Sequence, residues 1–173
     1  QLESNSTNQS QMYIEKYMDS KFVEYTRVLE KDRNLSKTSN LKKDEKYLLV
    51  VEDEETNIMV MQMYLKNISD RVIYMRNGKE GLDFYRKSIL EGFHIHLIFM
   101  DLNMPVMSWI EATKEIRKVE ITHSIRPPFI IAISANVVAN DQVHLEEMGF
   151  NHSELKPISN ATVNRILMEQ SFF

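Results

Sequence analysis

"HLIFMDLNMPVMSWIEATKEIR" (residues 96–117) decides how this chain is to be read. An apolar run, Leu97 to Met100, ends on a single carboxylate, Asp101. A loop containing Pro105 follows, and then apolar residues recur at helical spacing. A charge at the end of so apolar a segment either caps a turn or helix, or stands at the mouth of a sheet and does chemistry. The segments on either side decide between the two.

Working outward, short apolar runs alternate with segments of helical period. "YLLVV" (47–51), "RVIYMR" (71–76), "IHLIFM" (95–100) and "PFIIAIS" (128–134) read as strands, and "FNHSEL" (150–155) as a short fifth. Helices are expected over 54–68, 77–90, 109–119, 140–149 and 160–170. Asn77 with Glu80, and Ser108 with Glu111, have the spacing of capping boxes. Alternation of this kind predicts a parallel sheet covered on both faces. Strands 1, 3 and 4 are continuously apolar, as central strands must be, whereas strand 2 is mixed and belongs at an edge. Right-handed crossovers then give an α/β, flavodoxin-like, doubly wound sheet of five strands in the order 2-1-3-4-5. Its ligand site lies at the carboxyl ends of strands 1 and 3.

Asp101 therefore stands at that rim. Strand 1 delivers Glu52 and Asp53 to it, strand 4 delivers Ser134, and the fifth strand leads to Lys156. Carboxylates crowded together repel unless a cation offsets them. An oxygen-only ligand set with few members suits Mg²⁺.

Residues 47–170 also resemble the receiver domain of two-component response regulators, in "LLVVEDEETN", "RNGKEGLDFY", "MDLNMPVM", "IIAISAN" and "LKPI", in that order. The resemblance implies an acceptor aspartate at Asp101, phosphorylated by a phosphohistidine of a histidine kinase or phosphotransfer protein. It implies Mg²⁺ held by Glu52, Asp53, Asp101 and the backbone carbonyl of Asn103. Ser134 and Lys156 match the hydroxyl and the ammonium that meet the phosphoryl oxygens, and backbone N–H groups around Met104 and Ala135 would join them. Beyond self-phosphorylation and autodephosphorylation, no turnover is expected. The family commonly has Asp-Gly where this chain has Ser108-Trp109, and Tyr or Phe where it has Ser153. Those departures leave a second reading, a pseudo-receiver that docks partners without phosphorylation. A flavin-binding protein of the same fold is disfavoured because acids, not a Ser/Thr/Gly-rich phosphate loop, follow strand 1. Phe150 does not match the position of the missing aromatic, and Trp109 is expected to pack or to meet a partner.

The rest of the chain bounds the function. Residues 1–11 are polar and read as a disordered tail. Residues 12–34 carry Ile14, Met18, Phe22, Tyr25 and Leu29 at three- and four-residue steps, an amphipathic helix suited to packing, dimerisation or a partner. Residues 35–46 are a polar linker, and the receiver is expected over 47–173. The net charge of −4 gives no nucleic-acid footprint. The absence of cysteine excludes disulfides and thiolate sites. No apolar run reaches ~18 residues, so no membrane span is expected. The histidines are scattered and read as surface or satisfied groups. A start at Gln1 suggests a piece of a longer protein. The Asn-rich flanks are similar to those of eukaryotic phosphorelay receivers, such as a fungal stress response regulator or the receiver end of a hybrid histidine kinase, cytoplasmic or also nuclear.

Overall fold

Five strands form one parallel sheet in the order β2-β1-β3-β4-β5 in a computed structural model of the chain. The structure describes residues 41–104, 108–135 and 141–173. The expected tail and helix of residues 1–34, most of the linker, Pro105 and the loop after Ala135 lie outside the described residues. The chain divides into two units between Leu41 and Lys42, and the sheet belongs to the second, Lys42–Phe173.

The elements are β1 (Lys46–Val51), α1 (Glu55–Tyr64), a 3-10 segment (Lys66–Arg71), β2 (Val72–Met75), α2 (Gly78–Glu91) and β3 (His94–Asp101). They continue with α3 (Trp109–His123), β4 (Phe129–Ser134), α4 (Asp141–Glu147), β5 (His152–Leu155) and α5 (Asn160–Glu169). The sheet order and the edge position of β2 match the expectation. Boundaries move by up to four residues, at α1, which stops at Tyr64, and at α3, which runs on to His123. Alternate residues of β1 serve opposite faces. Leu48 and Val50 join Leu97, Phe99, Ile131 and Ile133 in a core closed by Met61 of α1 and by Val163, Ile166 and Leu167 of α5. Val51 points the other way, toward α2. A Cβ on Gly81 would lie 2.9 Å from the Val51 Cγ2, so this helix approaches the sheet closely because position 81 has no side chain.

Helix starts follow local chemistry. The Asn77 side chain accepts the Glu80 N–H, while Glu80 accepts from the Asn77 amide and the Arg76 N–H, a reciprocal cap. Ser108 caps α3 differently from the expected box: its Oγ accepts from the Ile110 N–H rather than from residue 111. The segment after α5 turns back onto the sheet. Lys46 Nζ donates to the Gln170 and Ser171 carbonyls, Arg71 donates to the Phe172 carbonyl, and the Phe172 ring is buried in the core.

One expectation about the histidines needs correction. His94, at the start of β3, is not a fully satisfied group, and its neighbour His96 is half-buried. Their rings meet edge to face with centroids 4.4 Å apart, and the His94 Nε2 is buried with no hydrogen-bond partner.

Burial pushes His96 down to about 4, helped by the nearby charges of His94, Lys46 and Arg126 and opposed by its contact with the His94 carbonyl. A depressed histidine stabilises the fold fully above its unfolded value of ~6.5, and that stability is lost as pH falls toward the folded value. Discounted for partial exposure, the loss is about 1–2 kcal/mol. Between pH 7 and pH 4 the denaturant midpoint of the wild type should therefore fall further than that of His96→Gln. A constant gap across that range would remove His96 from the acid response.

Candidate functional site

The carboxyl ends of β1 and β3 lie side by side, because the chain crosses from one face of the sheet to the other between them. Val51 pairs with Met100, so the residues just beyond each strand's apolar run emerge together. On β3 this is Asp101, 2% exposed. On β1 it is Glu52, also buried, followed by the more open Asp53. One carboxylate oxygen from each of these three lies within 4.8 Å of the others. The arrangement follows from strand length: the ladder ends here, and the side chains beyond it turn into the cleft.

Lys156 follows β5 and reaches across to this cluster. Its Nζ lies 2.9 Å from Glu52 Oε2 and 2.9 Å from Asp101 Oδ2. Its backbone N–H donates to the Ser134 carbonyl at 2.8 Å, which ties the approach of the lysine to the end of β4. Burial pushes the Lys156 ammonium down, but its hydrogen bonds to Asp101 and Glu52 and their charges outweigh this and hold it above its usual range. Glu52 is pushed up, chiefly by burial and further by the Asp101 charge, against the opposing bonds from Lys156 and Asn57. The pair is thus a buried acid and a cation that each stay where they are because of the other.

The remaining oxygens are also directed. Asp101 Oδ1 accepts the Asn103 N–H at 3.0 Å, a local turn that points the other oxygen toward Lys156. Glu52 Oε1 accepts the Glu54 N–H and the Asn57 amide. Asn57 had no place in the expected constellation. A polar side chain one turn into the helix after an acid pair is a weak signal, and only the packing of α1 against the cleft gives it meaning. Ser134 ends β4 and is buried. Asn103 is exposed and lines the cleft. The structure thus brings Glu52, Asp53, Asp101 and Lys156 together, with Asn103 and Ser134 on adjoining strand ends.

The cleft has a volume of about 820 Å³ and is lined by both polar and apolar residues. Val60, Met61 and Tyr64 of α1 line it, as do Pro157 and Ile158. Met59 and Met63, on the outer side of α1, are exposed. Trp109 packs its ring against Phe150, with centroids 5.7 Å apart, so the single tryptophan is a packing residue on the α3 side. Phe150 is buried and precedes β5. An acidic group of oxygen donors beside a lysine is suited to binding a hard divalent cation and an anionic group together. Among the described residues no helix is long and apolar enough to cross a membrane.

Comparison with known proteins agrees with this geometry. Residues 48–167 match the family model described as "Response regulator receiver domain". The chain is 34% identical over 122 residues to the "Oxidative stress response two-component system protein SSK1" of Candida albicans, covering 68% of this chain and 17% of that protein. It is 27% identical over 143 residues to "Two-component response regulator 24" of Arabidopsis thaliana, covering 83% of this chain and 96% of that one. The match to a hybrid histidine kinase of Dictyostelium discoideum covers only 7% of the kinase. Among solved structures, the receiver domain of Saccharomyces cerevisiae Ssk1, crystallised with the histidine phosphotransfer protein Ypd1, is 27% identical with a TM-score of 0.65, over 73% of this chain and 88% of that one. A Pseudomonas aeruginosa histidine kinase receiver with magnesium in its active-site cleft is 29% identical with a TM-score of 0.58, over 75% of this chain and 98% of that one. With a sheet order, a rim of acids and a family model covering most of its length in agreement, the chain belongs to the response regulator receiver family.

Proposed function

We propose that this receiver accepts a phosphoryl group on Asp101 from a phosphohistidine and passes the signal on through protein contacts. The observation that carries the reading is Lys156 Nζ, held 2.9 Å from both Glu52 and Asp101 at the end of β3. An Asp101 oxygen attacks phosphorus, the O–P bond forms as the N–P bond breaks, and the electron pair returns to the donor imidazole. Transfer of this kind needs positioning and charge stabilisation more than covalent help from the protein. Lys156, already beside Asp101, pairs with a phosphoryl oxygen as negative charge gathers there. The buried Ser134 hydroxyl, on the neighbouring strand end, is the candidate donor to a second.

The donor set fits Mg²⁺, since the three carboxylates lie within 4.8 Å of one another and all ligand atoms are oxygen. Glu52, Asp53, Asp101 and the Asn103 carbonyl would hold the ion. When bound, it neutralises charge on the acids and the incoming phosphoryl group. Asn57 and the Glu54 N–H keep Glu52 turned to the cleft.

The donor is proposed to be a helical histidine phosphotransfer protein or the corresponding region of a histidine kinase. Support comes from the cleft, whose acids share its lining with Val60, Met61 and Tyr64 of α1, and from Met59 and Met63, exposed on the same helix. Methionine is an adaptable contact for such a partner. Met63→Glu should slow transfer from a protein donor about tenfold relative to transfer from a small-molecule donor, as expected for ~1.4 kcal/mol of lost docking. An unchanged ratio in stopped-flow transfer assays would move the docking surface elsewhere.

The function is tested by intact mass after incubation with Mg²⁺ and a small-molecule phosphodonor. A labile gain of one phosphoryl group supports the reading. No gain by a folded protein would leave a docking module that works without phosphorylation.

A further inference from the structure

β3 opens with His94-Ile95-His96, at the end of the sheet far from the carboxylate cleft. At ~3.3 Å per residue, the seven steps from His94 to Asp101 separate the two by roughly 20 Å. Nothing in the receiver reading uses these histidines.

Their geometry is unusual for bystanders. The rings are 4.4 Å apart between centroids and nearly perpendicular, at 78°. The His96 Nδ1 lies 3.4 Å from the His94 carbonyl. A neutral ring placed this way donates from Nδ1 and carries its lone pair on Nε2, a tautomer assigned from that contact. Metal-bound histidines are oriented by the same kind of backbone acceptor on the second nitrogen. The His94 Nε2 is buried and has no hydrogen-bond partner, a cost that a ligand would relieve. Burial is the main reason that both rings are held below the usual histidine range, so both are neutral at pH 7. The neutral ring is the form that binds metal.

We propose that His94 and His96 form a two-imidazole site for a divalent transition ion of the zinc and copper class, with water completing the coordination. Imidazole nitrogen suits these ions, whereas Mg²⁺ prefers the oxygen donors at the other end of the sheet. The surrounding charges oppose a cation. Lys46 pairs with His94 across the β1–β3 ladder, and the Arg126 charge acts on both rings. Lys46 is also held by the Gln170 and Ser171 carbonyls, while Arg126 is exposed. The site is therefore weak in the wild type, and its strength is set in part by Arg126.

The test is Zn²⁺ titration calorimetry at pH 7.5 on the full chain, with excess Mg²⁺ occupying the carboxylate cleft. The wild type should take up one Zn²⁺. His94→Gln/His96→Gln should lose at least tenfold in affinity, and Arg126→Ser should gain about threefold. Copper(II) electron paramagnetic resonance on ¹⁵N-histidine-labelled protein should show coupling to two imidazole nitrogens, reduced to one in His94→Gln. Zn²⁺ uptake unchanged in the double variant, with His123, His144 or His152 as the source, would overturn the site, as would no uptake by the wild type. If the double variant does not fold, the copper spectrum of the wild type and the single variant decides. Coupling to fewer than two nitrogens, or coupling unaltered by His94→Gln, overturns the proposal.

Discussion

Asp101→Asn takes up no phosphoryl group under conditions in which the wild type gains one, and it does so without unfolding. The amide keeps the size and shape of the acid but has no ionised oxygen with which to attack phosphorus. Its oxygen can still accept from Lys156 or from the Asn103 N–H, so the local turn after β3 survives. The substitution also removes the charge that, with burial, pushes Glu52 up. Stability should therefore stay within about 1 kcal/mol of the wild type, with relief of repulsion opposing the weaker bond to Lys156. Intact mass with Mg²⁺ and a small-molecule donor, wild type beside variant, measures the first effect, and denaturant midpoints measure the second. Phosphorylation of the variant at the wild-type level would place the acceptor at another residue. Loss of uptake together with loss of the fold would show that the charge at Asp101 is structural.

Arg117→Ala has the largest expected effect on stability. Arg117 projects from α3 and holds together three separate parts of the chain. Its Nε and one terminal nitrogen donate to the Gly149 carbonyl at 2.8 and 2.6 Å, and that same nitrogen reaches Asn151 Oδ1 at 2.8 Å. The other terminal nitrogen meets both oxygens of Glu120, at 2.9 and 3.0 Å, and the Pro128 carbonyl at 3.1 Å. Asn151 in turn accepts the Ile130 N–H, so the arginine supports the junction of β4 and β5. Glu120 is 7% exposed, and burial already pushes it up against the pull of Arg117. Removing one partner of a buried pair leaves an uncompensated charge and costs about 3–5 kcal/mol. For a unit of this size that lowers the melting temperature by roughly 10 °C or more. Arg117→Lys should recover only a part, because an ammonium cannot serve Gly149, Asn151, Glu120 and Pro128 at once. A melting temperature within 2–3 °C of the wild type for Arg117→Ala, a shift worth only about 1 kcal/mol, would show that these bonds are replaced by water.

Much of this arrangement is legible in the chain itself. The apolar runs of β1, β3 and β4 are recognisable because a doubly covered strand has no polar face to show, and each strand's first charged residue marks where the cover ends. That rule alone carries Glu52, Asp53 and Asp101 to one rim. β5 is harder to see because Ser153 and Glu154 break its pattern; it is an edge strand with one neighbour, and half of it faces away from the core. The cap at Ser108 is legible as a cap but not in its partner. Whether the hydroxyl meets the second or third N–H depends on the entry angle of the preceding loop, and no residue type records that angle.

What needed the tertiary structure is contact between residues distant in sequence. No local pattern says that Lys156, more than a hundred residues from Glu52, bridges it to Asp101. Nor does any pattern join Arg117 to Gly149, Trp109 to Phe150, or Lys46 to the end of α5. His94 and His96 are alternate residues on a strand and read singly as ordinary surface groups. Only the packing at the strand's entrance presses the rings together and removes the partner of one nitrogen. Periodicity and strand ends are determined by the sequence because each residue's solvation is a local preference. The pairings were decided by the fold, because a buried charge or nitrogen is satisfied by whatever the crossing elements bring within ~3 Å.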